Sequence, residues 1–412
     1  MTTRRQPFVV TTVLAFVVAG GAGAAPDPLR ELRDWLARPV ADRPDLADLP
    51  FAAVPLSRGQ AAEARKLLTT DREAMVRASR AKEWADQSIT LDGKTLRWKH
   101  KHFGTRPKDG WNLYLSLHGG GGTAARVNDR QWENQVKLYQ PENSLYIAPR
   151  APTDNWNLWH EPHVDTLFGR LIEDSIVLGG VDPNRVYLMG YSAGGDGVYQ
   201  LAPRMADRFA AAAMMAGHPN DASPLGLRNL GLTIHVGAND NGYHRNKVAA
   251  EWGRKLADLR AADPGGYAHD VQIHEGRGHW MNLEDKAALP WTAAFTRNPF
   301  PDKVVWHQSP VTHDRFYWIA VPKGLAKAGQ LVVASRDGQN VRIEKAEGVD
   351  SLTVMLSDVM LDLDKPVKVS QNDKVLHDGP VPRTLTSLRT TLAGRGDPEL
   401  MFEASVNVSV HK

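Results

Sequence analysis

The chain has 412 residues, of which 42% are hydrophobic and 24% charged, with a formal net charge of +3 and no cysteine. That length and apolar content exclude a fibrous or disordered chain and suffice for two domains with a large core. The near-balanced charge gives no electrostatic reason to expect nucleic acid or an anionic membrane as partner. The lack of cysteine excludes disulfides and a lipidated cysteine.

Residues 1–25 read as a signal peptide: Arg4 and Arg5 form a basic start, residues 8–18 are apolar, and Gly21 to Ala25 offer a small-residue cleavage region before Pro26. The apolar run is short for a bilayer span, so export to the periplasm or outside a bacterial cell is expected, with no membrane span in the mature chain. Residues 26–84 have helical patterning over 29–36 and 58–85, with Pro39, Pro44 and Pro50 between. A brace against the following domain is expected, with a lid as the alternative. Residues 85–298 alternate strands (95–101, 113–117, 145–147, 186–189, 210–215, 232–237, 271–275) with helical segments (130–139, 164–177, 194–206, 245–261, 283–296). This alternation predicts an α/β domain with a mostly parallel sheet and helices on both faces. Residues 299–412 carry short β runs, one of them over 316–321, separated by turns such as Asp337-Gly338-Gln339-Asn340. A small, β-rich, sandwich-like domain follows from that spacing.

The apolar run 186–189 leads straight into Gly190-Tyr191-Ser192-Ala193-Gly194, a G-x-S-x-G turn. Such a strand-to-helix turn admits only glycine beside the serine and leaves its hydroxyl exposed at a helix N-terminus. Three further strand ends bear the right chemistry. Residues 113–117 end in His118 and four glycines, Gly119 to Gly122, whose amides can turn toward an oxyanion. Residues 232–237 precede a polar loop with Asp240, and residues 271–275 precede Gly276-Arg277-Gly278-His279-Trp280.

In motif and order the region 85–298 resembles the α/β-hydrolase superfamily. The resemblance is greatest to its secreted esterase branch, with poly(3-hydroxybutyrate) depolymerase-like and feruloyl esterase-like proteins. Many extracellular members carry disulfides; this chain, without cysteine, does not. The resemblance implies a serine hydrolase with Ser192 as nucleophile, His279 as general base and Asp240 orienting that histidine. Asp221 and Asp270 compete with Asp240, and His274 competes with His279. The oxyanion hole is expected from the amide of Ala193 with that of Gly120 or Gly121. Tyr191, Trp280, Trp159 and His160 are expected to wall the substrate pocket.

No metal or other cofactor is expected. The pairs His100/His102 and His160/His163 come with no third ligand, and no dinucleotide- or phosphate-binding glycine motif is present. The substrate is then a small or polymeric ester. Two alternatives remain: a peptidase of the prolyl oligopeptidase-like kind, and a vestigial hydrolase whose C-terminal region binds a polysaccharide or polymer through Trp306, Tyr317 and Trp318.

Overall fold

Residues 27–410 are described in the computed structural model, and the signal-peptide expectation lies outside them. Asp27 caps α1 (Pro28–Leu36), and a reciprocal Ser57/Gln60 capping box starts the long α2 (Arg58–Asp86), which ends where Gln87 turns left-handed. The alternating section follows as β1 (Ser88–Leu91), β2 (Lys94–Phe103), β3 (Trp111–Leu117), α3 (Ala125–Leu138), β4 (Ser144–Arg150), α4 (Pro162–Val177) and β5 (Val181–Tyr191). It continues through α5 (Ala193–Arg204), β6 (Ala211–Met215), β7 (Gly231–Gly237), α6 (Arg245–Ala262), β8 (His269–His274) and α7 (Ala288–Ala293).

These strands form one sheet in the order β1-β2-β4-β3-β5-β6-β7-β8, antiparallel at the β1-β2-β4 edge and parallel from β4 onward. Strands β3, β4, β6 and β7 and the second half of β5, from Val186, are buried along nearly their whole length because both faces are covered. One face packs α4, α5 and α6 through Phe168, Leu171, Val198, Leu201, Trp252 and Leu256. The other takes α3 and α7 through Trp132, Val136 and Ala288. The expected helix over 283–296 is cut down to α7 preceded by a 3-10 turn, Glu284–Ala287. Leu283 is left-handed (φ 64°), so no helix starts there, and Pro290, the third residue of α7, has no N–H with which to continue the bonds of the preceding 3-10 turn.

Beyond residue 300 come β9 (Lys303–His307), β10 (Arg315–Phe316), β11 (Ile319–Ala320), β12 (Leu331–Asp337), β13 (Asn340–Glu347), β14 (Ser351–Leu356), β15 (Val367–Gln371), β16 (Lys374–Gly379), α8 (Leu385–Arg395) and β17 (Ala404–Ser409). They make a five-stranded sheet, β16-β15-β13-β12-β9, and a four-stranded sheet, β10-β11-β14-β17. Val304, Val341, Ile343 and Val369 of the first and Ile319, Leu352, Val354 and Ala404 of the second share one apolar cluster, continuous with that of the large sheet. The run 316–321 is not one strand. Tyr317 is left-handed (φ 49°) and turns the chain, and both it and Trp318 are fully buried. Tyr317 donates its hydroxyl to Ala206 O, and Trp318 donates its indole N–H to Pro301 O. With Trp306 also buried, this trio fastens the β region to the large sheet and offers no exposed binding platform. That removes the observation on which a polymer-binding role for these three residues rested.

The N-terminal helices pack away from the strand ends. Leu29, Leu32, Trp35 and Leu68 form a third cluster with Leu385, Leu388 and Met401, while Arg72 and Arg80 of α2 reach Glu173 of α4.

Candidate active site

The site forms where β5 stops. Ser192 has φ 59° and ψ −124°, a conformation that L-residues rarely adopt and that typically costs about 1–3 kcal/mol. The surroundings enforce it. Ser192 N donates to Met215 O on the neighbouring strand, and Ser192 O accepts the first helical bond from Asp196 N. A Cβ on Gly190 would lie 2.2 Å from Gly194 O, and one on Gly194 would lie 2.1 Å from Leu117 O. Only glycine therefore lets the turn close and α5 sit down against β3.

The hydroxyl so presented meets His279. Its Oγ lies 2.9 Å from His279 Nε2, and His279 Nδ1 lies 2.8 Å from Asp240 Oδ2. A carboxylate can only accept, so Nδ1 carries the proton and Nε2 keeps its lone pair for the serine O–H. Asp240 is 3% exposed, and Arg245 Nη1 lies 3.7 Å from its second oxygen. The rival residues are engaged elsewhere. Asp221 accepts from Gln200, Asp270 accepts from Thr233 and Gln272, and His274 stacks on His235. Tyr191 secures the histidine loop by donating to His279 O (2.6 Å) and accepting from Met281 N (3.1 Å).

Beside Ser192 runs the glycine loop. Gly119 passes so close that a Cβ would sit 3.0 Å from Ser192 Cβ. The loop is held from behind: His118 is buried, its Nδ1 lies 2.6 Å from Gly119 O, and its Nε2 accepts from Ala151 N. Burial pushes the His118 pKa down to about 4, so the ring is neutral and can hold both bonds at neutral pH. Asn128 accepts from Gly121 N and donates to Asp154, which Arg150 also contacts. The Gly121 amide is thereby committed, which removes Gly121 as an oxyanion donor. Gly119 and Gly120 line the same cleft as Ser192, and Ala193 opens α5 directly after the serine.

That space is a cleft of about 730 Å³ lined by Gly119, Gly120, Tyr191, Ser192, His279 and Trp280, with Gln131, Asn134 and Leu138 of α3 opposite. Its size suits a small organic ligand. No residue of 27–86 lines it, so the N-terminal helices do not cover the site. Tyr191 and Trp280 line this cleft. Trp159 does not: it is fully buried, donates to His118 O and packs on Phe168, supporting the glycine loop from beneath. His160 is also absent from the lining, lying edge-on to Trp156 with its pKa pushed down to about 4 by burial and then by Arg204. The α3 wall was missed. Gln131, Asn134 and Leu138 follow i, i+3, i+7 spacing, a signal for a shared face but not for what that face meets.

Among the described residues no group of three or more His, Cys, Asp or Glu is placed to hold a metal ion, and no helix is long and apolar enough to cross a membrane.

The chain matches no protein-family model. A curated relative, "Putative esterase NocK" of Nocardia uniformis subsp. tsuyamanensis, is 29% identical over 208 residues, covering 46% of this chain and 55% of the relative. The chain thus spans about half the length of that relative. Among solved structures the chain is similar to a thermostable esterase at 19% identity, covering 51% of this chain and 62% of that one, with a TM-score of 0.39. It is likewise similar to LpqC, a poly(3-hydroxybutyrate) depolymerase from Bordetella parapertussis, at 16% identity, covering 56% and 95%, also with a TM-score of 0.39. By its own strand order, its elbow at Ser192 and the succession of serine, aspartate and histidine along the chain, the protein has the α/β-hydrolase fold.

Proposed function

We propose that the protein is a serine hydrolase that cleaves carboxylic esters through an acyl-enzyme and that it works after export, residues 1–25 being the leader. The observation that carries this reading is the unbroken hydrogen-bond chain Ser192–His279–Asp240 at the floor of an open cleft. Ser192 Oγ attacks the ester carbonyl carbon as His279 Nε2 takes its proton. The carbonyl π electrons move onto oxygen, and the amides of Ala193 and Gly120, with Gly119 beside them, receive the negative charge. Collapse of this intermediate breaks the carbon–oxygen bond of the leaving alcohol, which takes the proton from His279. Water then repeats the sequence on the acyl-serine, restoring Ser192 and releasing the acid. Asp240 keeps the histidine in the required tautomer throughout. Tyr191 and Trp280 contribute aromatic wall to whichever ester part lies over them.

The test is fluorophosphonate labelling beside Ser192→Ala, followed by turnover of p-nitrophenyl esters against aminoacyl amides. Labelling confined to the wild type, with ester turnover lost in Ser192→Ala and His279→Ala, is expected. Full turnover in either folded variant would sink the mechanism, and amide turnover exceeding ester turnover would move the assignment to a peptidase.

A further inference from the structure

His235 of β7 and His274, the last residue of β8, meet where the chain leaves the sheet for the loop carrying His279. Five side chains stand in a row there. Asp270 Oδ2 lies 3.3 Å from Thr233 Oγ1, which lies 2.9 Å from His235 Nε2. His235 Nδ1 lies 3.1 Å from His274 Nε2, and His274 Nδ1 lies 3.3 Å from Glu284 Oε2. Thr233 and His235 are buried, and both ends of the row are carboxylates. Two further charges stand near His274: Arg277, which binds the same Glu284, and Asp285, which Tyr139 of α3 contacts.

The protons of this row can be counted, because a carboxylate only accepts and a threonine has one proton to give. With both rings neutral, His274 donates from Nδ1 to Glu284 and accepts at Nε2 from His235. His235 Nε2 then takes the threonine proton, and Asp270 goes without it. With one proton added, His274 donates from both nitrogens. His235 then carries its proton on Nε2 and donates to Thr233, whose own proton is freed for Asp270. Only the singly charged row satisfies all four contacts, and it sets a cation between two carboxylates. A second proton is resisted: burial, and then the charge of His274, pushes the His235 pKa down to about 4. Residues 274 and 284 are also the two ends of the loop that has His279 at its middle. Asn282 and Leu283 are both left-handed (φ 54° and 64°), a strain that persists only where neighbouring groups enforce it. Glu284 follows directly, and its two oxygens reach back to Arg277 and to His274.

We propose that His274 is a positioning residue for His279: it shares one proton with His235, and in that charged form it clamps Glu284 across the base of the loop. This rests on the hydrolase reading above. When the pair gives up its proton, only a neutral contact to Glu284 remains and the loop end loosens. Glu284 is 40% exposed, so the charge is worth at most about fivefold in rate. The test measures kcat on p-nitrophenyl acetate, and the rate of fluorophosphonate labelling, for wild type and His274→Gln over about pH 5 to 8. Glutamine keeps a donor for Glu284 but cannot titrate. The ratio of wild-type to variant kcat is expected to fall about two- to fivefold as pH rises, with KM within about twofold. A histidine that merely packs gives a ratio independent of pH, and that result overturns the proposal. Glu284→Gln, which leaves both rings in place, should show the same falling ratio. It removes a negative charge where His274→Gln removes a positive one, so a fall in both variants reports the clamp and not a shifted ionisation of His279. Opposite trends in the two overturn the proposal, and if His274→Gln does not fold, a flat or rising ratio in Glu284→Gln does so alone. The ring ¹⁵N signals of His235 and His274 should move together in one pH step; separate steps overturn the shared proton. Wild type that neither turns over ester nor labels would instead remove the hydrolase reading, and this inference with it.

Discussion

Tyr191→Phe isolates the contribution of a single hydroxyl next to the nucleophile. The phenol donates to His279 O at 2.6 Å and accepts from Met281 N at 3.1 Å, and the side chain is only 8% exposed. Phenylalanine keeps the ring in the cleft wall and leaves that carbonyl and that amide unpaired. Stranding such groups costs about 1–3 kcal/mol of stability. The functional effect is separate. The loop released by the change carries His279, whose Nε2 must stay within hydrogen-bond reach of Ser192 Oγ, and a displacement of about 1 Å at a reacting group can cost about 100-fold in rate. We expect kcat on p-nitrophenyl acetate to fall about 10- to 100-fold with KM little changed, because the cleft surface persists. Fluorophosphonate labelling should slow in parallel. Stability measured by urea unfolding, with kcat and KM from initial rates at saturating folded fraction, separates the two effects. A lowered urea midpoint with kcat within about twofold of wild type would refute the positioning role and leave Tyr191 a purely structural residue.

Asp240→Asn preserves shape but lets the amide favour the wrong tautomer of His279, so kcat should drop about 10⁴-fold, or roughly 5 kcal/mol, without loss of fold. A loss under about tenfold would show that another group orients the ring. Gly194→Ala would force a Cβ to 2.1 Å from Leu117 O, a backbone atom that cannot give, so no folded, labelled protein is expected on a gel-filtration and fluorophosphonate assay. Gly119→Ala meets Ser192 Cβ at 3.0 Å and should fold while losing most of its turnover; equal activity would place the acyl oxygen elsewhere. Burial pushes the His235 pKa down to about 4, so the folded state resists protonation while the unfolded chain takes up a proton below about pH 6.5. Its contribution is therefore full above that pH and lost as pH falls toward 4, by at most about 3 kcal/mol. Asp174, pushed up to about 6 by burial, works in the opposite direction over the same range, so the comparison must be made between variants. His235→Gln should flatten the acid side of the stability profile; superimposable profiles would contradict this.

The local code of this chain was readable wherever backbone geometry demands one residue type. Glycines flanking Ser192, an apolar strand before each functional loop, and a glycine-bracketed histidine all announce themselves without tertiary information. A strained turn or a buried strand constrains composition at fixed spacing. Hence Ser192, Asp240 and His279 could be picked out, and the structure brings them within hydrogen-bond distance of one another. What lay beyond reach was set by packing between distant segments. Trp159 and Trp280 are alike in sequence, yet one is fully buried under the glycine loop and the other is half exposed in the cleft. Gly120 and Gly121 are adjacent and identical, and only the arrival of Asn128 from α3 decides that Gly121 spends its amide inside the loop. The strand run at 316–321 broke because Tyr317 and Trp318 find partners in Ala206 and Pro301 more than a hundred and about seventeen residues away, respectively. Sequence alone determined the nucleophile turn and the order of the reacting groups, because these follow from covalent geometry over a few residues. Tertiary structure decided which amides stay free and which aromatics reach the cleft, because each depends on how separate elements pack against one another.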